Sequence, residues 1–351
     1  MYPIRILNQE QTEKVLDMKT VIADIEEVYS MKSRGVGKLF PLVFHEFEPG
    51  AADMDIKSGL LEEAGIFGLK LVSWFSGNAS IGMPLLTGTV MVFDISTGKP
   101  LGLLSAEHLT GMRTGAAGAI GAKRLARQDS ENLLMVGAGH QAKYQIAASL
   151  IALDNIKKVR ICDPLDNANA ASFAAKIKSV LTGSFLSGYD TASEDYRAIA
   201  EKFNILFEAV ENMQSAVEDS DVIITATPSH KPLIQCDWVR EGTHFSCIGA
   251  DMTGKQEIDE RIFSRAKVFV DDVEQALNVG ECEIPVKKGV MAKESIIGEI
   301  GDLICGIKEG RSSDNDITVF DSTGIALQDL MVASRALKSA EEKNIGSVVE
   351  L

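Results

Sequence analysis

The sequence predicts an α/β protein in which a doubly wound, parallel-sheet domain is inserted into an α+β domain. Three observations support this. From about Ser130 the chain alternates between short apolar runs and helical segments, which is typical of a parallel sheet with helices on both faces. The first third has instead one amphipathic helix followed by short β-like runs. A last helical segment, from about Ile325 to Ala340, can return to the first domain.

The first domain is predicted to contain a helix and then a series of strands. Apolar residues recur at helical spacing from Lys19 to Arg34. Turn residues then bound four predicted strands: 39–47, 66–75, 85–93 and 101–104. The segment from Thr110 to Ala126 is rich in Ala and Gly, which suits a helix packed closely against another backbone.

Six apolar runs after Ser130 predict the strands of the second domain: 132–136, 158–162, 220–225, 244–249, 268–270 and 317–320. A helical segment, 143–153, separates the first two. We therefore expect residues 129–320 to form one domain, and residues 1–128 together with 321–351 to form the other.

Composition excludes several classes of protein. Asp and Glu total 50 against 35 Lys and Arg, so the formal net charge of −15 disfavours binding to nucleic acid. Apolar stretches are too short for a membrane span, and the N-terminus lacks a secretory signal, so we expect a cytoplasmic protein. Neither the five cysteines nor the five histidines have metal-ligand spacing, and we expect no metal.

A glycine pattern points to a dinucleotide. Gly137-x-Gly139-x-x-Ala142 follows a predicted strand and opens a predicted helix, where glycines allow a tight turn and a close approach of pyrophosphate. Asp163 ends the next strand, where a carboxylate can accept hydrogen bonds from both ribose hydroxyls. Since Pro164 follows and no Arg stands beside it to take a 2′-phosphate, NAD is favoured over NADP. The alternative is a glycine-rich turn without a nucleotide.

Three residues elsewhere are candidates for chemistry. Asp251 follows a predicted strand end, although its spacing alone favours capping of a helix near Ile258 or an Asx turn. Lys70 lies in an apolar strand and, taken alone, favours an outward-pointing side chain. Arg113 stands among small residues, and its guanidinium suits a carboxylate or phosphate ligand. The alternative is a salt bridge to Glu107 or to another residue of the domain.

The order and spacing of several segments together resemble the ornithine cyclodeaminase/mu-crystallin family over nearly the whole chain. The segments are Gly68-Leu-Lys70, Leu109-Thr-Gly-Met-Arg113, Met135-Val-Gly-Ala-Gly139-His-Gln141, Cys247-Ile-Gly-Ala-Asp251 and Val319-Phe-Asp-Ser-Thr-Gly324-Ile-Ala-Leu-Gln-Asp329. The resemblance implies a Rossmann domain inserted in an α+β substrate domain, and a homodimer formed through the sheet of that domain.

The resemblance also implies residue roles. Lys70 and Arg113 hold the substrate carboxylate, and Asp251 is the acid/base. The remaining implied residues line the cofactor: Gly137, Gly139, His140, Gln141, Asp163, Thr227, Ile248, Gly249, Lys255 and Ser322.

The sequence departs from the family pattern in one place. Members often carry an Arg for the substrate carboxylate near the segment 39–47, and this chain has none there. We hypothesise that Lys57 supplies the missing charge and that Asp55 faces a substrate amine. The alternative is a surface loop.

These patterns favour an NAD-dependent oxidoreductase that acts at the amino-bearing carbon of a small amino acid, as a dehydrogenase or imine reductase. Ornithine cyclodeaminase chemistry is an alternative, because one imine intermediate serves both reactions. A mu-crystallin-like, nucleotide-dependent binding protein is a second alternative. Retention of Lys70, Arg113 and Asp251 argues against a purely structural role.

Overall fold

The computed structural model describes all residues from 1 to 351, and the chain divides into two compact units. The first unit comprises Met1–Arg113 and Ile325–Leu351, and the second comprises Thr114–Gly324. The second unit is therefore an insertion, as the sequence suggests, although its boundaries differ from residues 129 and 320. The division of roles between the units stays a prediction.

The first unit is built on one eight-stranded sheet, in the order β18-β1-β7-β6-β5-β4-β2, with β3 paired to β4. Its pairs are antiparallel, apart from the parallel pair of β1 and β7. The strands are β1 (Pro3–Leu7), β2 (Gly37–Leu39), β3 (Val43–Glu48), β4 (Ala52–Leu61), β5 (Ile66–Phe75), β6 (Leu86–Asp94), β7 (Pro100–Ser105) and β18 (Ser347–Glu350).

Four helices begin in or belong to this unit: α1 (Gln9–Val15), α2 (Met18–Ser33), α3 (Ala106–Leu125) and α11 (Ala326–Glu342). The first boundary between the units falls inside α3. Helix α11 packs on β4, β5 and β6 and against α2. Glycines let it approach closely, because a Cβ at Gly68 would lie 2.8 Å from Leu330 and one at Gly102 would lie 2.3 Å from Leu337.

Two sequence predictions in this unit were wrong. The predicted strand 39–47 is two strands, β2 and β3, because Pro41 lies between them and has no backbone N–H to donate. The surface-loop alternative for Lys57 also fails, since Ala52–Leu61 is the ten-residue strand β4 in the middle of the sheet. The predicted strand 66–75 coincides with β5.

The second unit contains an entirely parallel, eight-stranded sheet in the order β10-β9-β8-β11-β13-β17-β15-β16. Its strands are β8 (Asn132–Val136), β9 (Lys158–Cys162), β10 (Leu206–Ala209), β11 (Val222–Thr225), β13 (His244–Cys247), β15 (Ala266–Val270), β16 (Ile296–Glu299) and β17 (Ile317–Asp321). The first strand, β8, lies between β9 and β11. This is the switch point at which ligands bind in doubly wound folds.

Seven helices and a small second sheet complete this unit. The helices are α4 (Ala142–Ala152), α5 (Asn167–Phe185), α6 (Glu194–Lys202), α7 (Met213–Glu218), α8 (Val273–Ala276), α9 (Glu283–Lys287) and α10 (Ile300–Ile304). The second sheet pairs β12 (His230–Ile234) with β14 (Gln256–Ile258). The helix predicted near Ile258 is a short 3-10 helix, Glu260–Ser264, and its N-cap is Asp259 rather than Asp251.

The α/β fold predicted from the sequence is confirmed, and the strand predictions in the second unit agree with the structure to within two residues at each end. They agree because buried parallel strands are continuous apolar runs, which a sequence displays directly. The helices do not include a segment with the length and hydropathy needed to span a membrane.

Candidate active site

The glycine loop after β8 has the shape that a pyrophosphate needs. Gly137 has a φ of 106°, its N–H donates to the Cys162 carbonyl at 2.7 Å, and a Cβ there would lie 2.7 Å from the Ala226 oxygen. Gly139 has open space where its Cβ would be. Helix α4 begins three residues later, at Ala142, so its unpaired N–H groups adjoin the open loop. This geometry fits a dinucleotide.

Two further predicted cofactor residues lie in the same loop. His140 is exposed, and its ring lies 5.4 Å from that of Tyr144. Gln141 stands at the N-cap of α4, and its side-chain Oε1 is buried without a hydrogen-bond partner.

Asp163 follows β9 and has an oriented carboxylate. One oxygen accepts from the Leu165 N–H at 3.1 Å, and the other accepts from the Asn169 side chain at 2.7 Å. Asp163 forms no ion pair with a lysine or arginine. Both oxygens therefore retain lone pairs for ribose hydroxyls, and no lysine or arginine is paired with Asp163 that could bind a 2′-phosphate. The arrangement fits NAD.

The ends of β11 and β13 are joined by a buried carboxylate. Glu257 accepts from the Thr227 N–H at 2.6 Å and from the Gly249 N–H at 2.9 Å. A Cβ at Gly249 would lie 2.3 Å from the Thr227 carbonyl oxygen, so only glycine allows this approach. Ile248, between these strand ends, is buried. The structure thus brings together three of the predicted cofactor residues.

Ser322 lies beyond the end of the adjacent strand, β17. Its N–H donates to the Cys247 carbonyl at 3.0 Å, and its hydroxyl donates to Asp271 at 3.1 Å. Asp271 also accepts from the Thr323 hydroxyl and from the Gly324 N–H. Ser322 is thereby fixed at the same carboxyl edge of the sheet as Thr227.

Asp251 and Lys255 form an ion pair at 2.5 Å on a loop after β13. The Asp251 side chain is 53% exposed, whereas that of Lys255 is only 15% exposed. The loop is held at Gly254, whose N–H donates to Glu283 at 2.8 Å and whose carbonyl lies 3.1 Å from His230 Nδ1. An exposed carboxylate on an anchored loop can exchange protons with water or substrate.

The first unit contains a buried cluster of charges around Asp329. Lys70 Nζ lies 2.9 Å from one oxygen of Asp329, and Arg113 Nε lies 3.1 Å from the other. Lys70 is in phase with the buried positions of β5, so the outward-pointing interpretation was wrong. Arg113 forms the salt bridge that was the alternative for it, but the partner is Asp329 of the same unit and not the exposed Glu107.

A neutral pair of side chains extends this cluster. Arg113 Nη1 donates to Gln328 Oε1 at 3.2 Å, and Gln328 Nε2 donates to the Tyr29 hydroxyl at 2.6 Å. The Ile325 N–H donates to the same Gln328 oxygen. Helices α2, α3 and α11 therefore meet through hydrogen bonds that fix the plane of the guanidinium.

Burial and ion pairing oppose each other in this cluster. Burial lowers the pKa of Lys70 to about 8, against the opposing effect of Asp329. Burial raises the pKa of Asp329, but Arg113 and Lys70 outweigh it, so that the pKa falls below its usual value. At neutral pH all three groups are charged, and two cations face one anion.

Lys57 and Asp55 lie on β4 beside the cluster. Lys57 is directly opposite Lys70 in the register of β4 and β5, and Asp55 is two residues away, on the same face. Asp55 is half-buried, and one of its oxygens is buried without a hydrogen-bond partner. Burial raises the pKa of Asp55, and the charges of Lys57 and Lys70 moderate the rise.

The family model described as "Ornithine cyclodeaminase/mu-crystallin family" matches residues 4–184 and 187–344. The chain belongs to this family. It is 37% identical over 347 residues to an alanine dehydrogenase from Archaeoglobus fulgidus, with 98% of each chain covered. The family predicted from the sequence is therefore confirmed.

Solved structures of family members are similar over the whole chain. An archaeal alanine dehydrogenase dimer with bound NAD has a TM-score of 0.87 at 36% identity and 100% coverage of both chains. The Thermococcus litoralis Δ1-pyrroline-2-carboxylate reductase, in complex with NADH and L-proline, has a TM-score of 0.85 at 30% identity, covering 98% of this chain and 99% of that one. A lysine cyclodeaminase has a TM-score of 0.80 at 26% identity, covering 100% and 96%.

Sequence reasoning missed three residues of these sites: Asp329, Glu257 and Asn169. Each contacts a predicted site residue and none was assigned a role. A signal for Asp329 was present, since it is a charged residue on an otherwise apolar helical stripe. The roles of all the predicted site residues stay predictions.

Proposed function

We propose that the chain is an NAD-dependent oxidoreductase that acts at the α-amino carbon of a small amino acid, as a dehydrogenase or, in reverse, an imine reductase. The observation that carries the proposal is the buried pair of cations, Lys70 and Arg113, held in place by Asp329. One buried carboxylate is paired here with two cations, and the excess positive charge is suited to a carboxylate ligand. Family membership and the NAD-bound relatives support it.

In this proposal the first unit holds the substrate. Lys70 and Arg113 bind the α-carboxylate, which fixes the orientation of the α-carbon and its hydrogen. The Arg113 guanidinium offers a planar fork, and the Lys70 ammonium offers a point charge. Lys57, opposite Lys70, adds positive charge beside them.

The second unit holds NAD, which when bound supplies the acceptor for the hydride that leaves the α-carbon. The glycine loop holds the pyrophosphate and Asp163 holds the ribose hydroxyls. Asp251 accepts a proton from the water that adds to the substrate imine and later returns one to the departing amine. The products are the oxo acid, ammonia, NADH and a proton.

A test combines two assays on the purified protein. NAD is incubated with alanine, glutamate, ornithine or lysine while NADH absorbance and ammonia are followed. We expect NADH and ammonia to rise in equal amounts with a small amino acid. An absence of both with every amino acid tested would overturn the proposal.

A second candidate is cyclodeaminase chemistry, which the buried, unpartnered oxygen of Asp55 favours. This carboxylate can take the side-chain ammonium of a diamino acid. The substrate amine, once deprotonated, then adds to the imine in place of water, ammonia leaves to give a cyclic imine, and the hydride returns to its carbon. Ammonia released from ornithine without net NADH would support this candidate instead.

Asp251→Asn separates binding from chemistry. The amide keeps the size of the side chain but cannot accept the proton, so we expect turnover to fall roughly 10²- to 10⁴-fold. NAD affinity, measured by fluorescence titration, should be unchanged. Retained turnover would assign the proton to another group.

We also propose a homodimer formed through the first unit. Large apolar side chains are exposed on β3, at the end of β5, at the start of β6 and on the segment between them, namely Val43, Phe44, Phe47, Phe75, Ile81, Met83, Leu85 and Leu86. A patch of this kind needs a cover, and the alanine dehydrogenase relative is a dimer. Light scattering should give twice the mass of the chain.

A further inference from the structure

We propose that Asp329 is a positioning residue, a built-in counter-anion that holds Lys70 and Arg113 in the arrangement that a substrate carboxylate requires. The inference rests on the proposed function. Asp329 lies in the first turn of α11, is completely buried, and gives one oxygen to each cation.

The geometry leaves donors for a second carboxylate. Arg113 uses Nε for Asp329 and Nη1 for Gln328, and the chain provides no partner for Nη2. Lys70 is ion-paired with Asp329 at 2.9 Å, and its ammonium carries three N–H donors. Asp329 thus binds each cation from one side only, and the remaining donors are those that a ligand can use.

The position of Asp329 is itself fixed. Its neighbour Gln328 accepts from Arg113 and from the Ile325 N–H, and donates to the Tyr29 hydroxyl. A carboxylate in the first turn of a helix also interacts favourably with the helix dipole. Asp329 therefore stays in place whether or not a substrate carboxylate is bound.

Electrostatics explains why an anion is needed. The charged groups that face Lys70 are Arg113 from α3, Lys57 and Asp55 from β4, and Asp329 from α11. Without Asp329, two buried cations would repel each other, and Lys70 would lose its proton more readily. A neutral Lys70 cannot bind a carboxylate as an ion pair.

Asp329→Asn tests the charge. Losing one opposite charge should move the Lys70 titration down by about 1–3 pH units. The alkaline limb of kcat/KM for the amino acid should move with it, and KM should rise roughly 10- to 100-fold near neutral pH. Substrate ionisation is the same for every variant, so a displaced limb belongs to the protein. An unmoved limb would overturn the proposal.

A second variant tests the position of the carboxylate. Asp329→Glu keeps the charge but displaces both cations, so KM should rise while the alkaline limb stays in place. An unchanged KM would count against the proposal even if the Asn variant does not fold.

Asp24→Asn is the matched control. Asp24 is also buried and pairs with Arg335 of α11, at 2.7 and 2.9 Å, and its loss should leave KM and the limb unchanged.

A readout without catalysis separates this inference from the proposed function. Lys70 is labelled with acetic anhydride across a pH series, without substrate, and the modified peptide is quantified by mass spectrometry. The labelling midpoint should fall in Asp329→Asn and stay in Asp24→Asn. Inactivity of the wild type with every amino acid would refute the proposed function, whereas an unmoved midpoint would refute the role of Asp329.

Discussion

Asp329 in the first unit and a set of three buried acids in the second unit are stabilised in opposite ways. In the first unit Asp329 is neutralised by two cations, and its pKa is held down. In the second unit Glu257, Glu281 and Asp321 are just as buried, but they accept from backbone N–H groups and form no ion pair. Burial raises the pKa of Glu257 and of Asp321 to about 7, and that of Glu281 well above its usual value.

This difference separates an acid that supports ligand binding from acids that stabilise the fold. Cations paired with Asp329 remain charged and keep donors for a ligand. The acids of the second unit fix the backbone instead: Glu257 joins two strand ends, and Glu281 binds the N–H groups of Glu257 and Ile258. Asp329 therefore holds cations that a ligand can use, whereas these three acids hold backbone.

Lys70→Met should break the ion-paired cluster with the largest effect. It removes one ligand of the substrate carboxylate and leaves Asp329 with Arg113 alone, so kcat/KM should fall roughly 10²- to 10³-fold, the loss expected for a buried charge pair. Steady-state kinetics measures this, with NAD affinity as the control. A loss of less than fivefold would remove Lys70 from substrate binding.

Asp163→Ala tests the half-buried carboxylate that follows β9 in the second unit. NAD affinity should weaken by about 1–3 kcal/mol through loss of charge-assisted hydrogen bonds, measured by calorimetry. Asp166→Ala is the matched control, because Asp166 is an acid in the same loop that caps α5. Equal effects of the two variants on the Kd would displace Asp163 from the ribose.

Asp321→Asn tests the buried acids that form no ion pair. The folded-state pKa of Asp321 is about 7, raised by burial from 3.8. The wild type therefore loses stability as pH rises from the unfolded pKa through about 7. The amide avoids that loss, so the variant should exceed the wild type by roughly 4 kcal/mol at about pH 8.5 and match it near pH 4. Denaturant unfolding tests this; a variant less stable at both pH values would contradict it.

Lys57→Met should have the smallest effect. Lys57 is half-buried at the rim of the cluster and opposite Lys70, so we expect KM to rise roughly two- to fivefold, in line with a partly screened charge. Lys38→Met on β2, an exposed lysine paired with Glu62, serves as the control. Equal kinetics for the two variants would remove Lys57 from the substrate site.

The sequence predicted the second unit well and the first unit less well. The glycine loop, Asp163 and the parallel strands depend on local signals, such as apolar runs and the spacing of glycines. Strand β4 escaped prediction because Asp53, Asp55 and Lys57 interrupt its pattern with charges. Asp55 and Lys57 lie on the face of β4 that carries Lys70 on the adjacent strand.

The contact of Lys70 and Arg113 with Asp329 could not be read from spacing. The three residues are distant in sequence and meet only when α11 returns to the sheet of the first unit. The resemblance gave Lys70 and Arg113 a role but said nothing of the anion between them. Long-range pairing of this kind depends on the tertiary fold, and a local pattern does not contain it.

The glycines beneath α11 determine how close Asp329 lies to the sheet of the first unit. Because Gly68 and Gly102 leave no room for a Cβ, the distance from the helix to the sheet is fixed by the absence of two methyl groups. Adding one methyl group would lift α11 and draw Asp329 away from Lys70. Alanine at either glycine is thus a means of loosening the substrate site from a distance, and a library of small residues there offers a way to tune the substrate range without altering any residue that touches substrate.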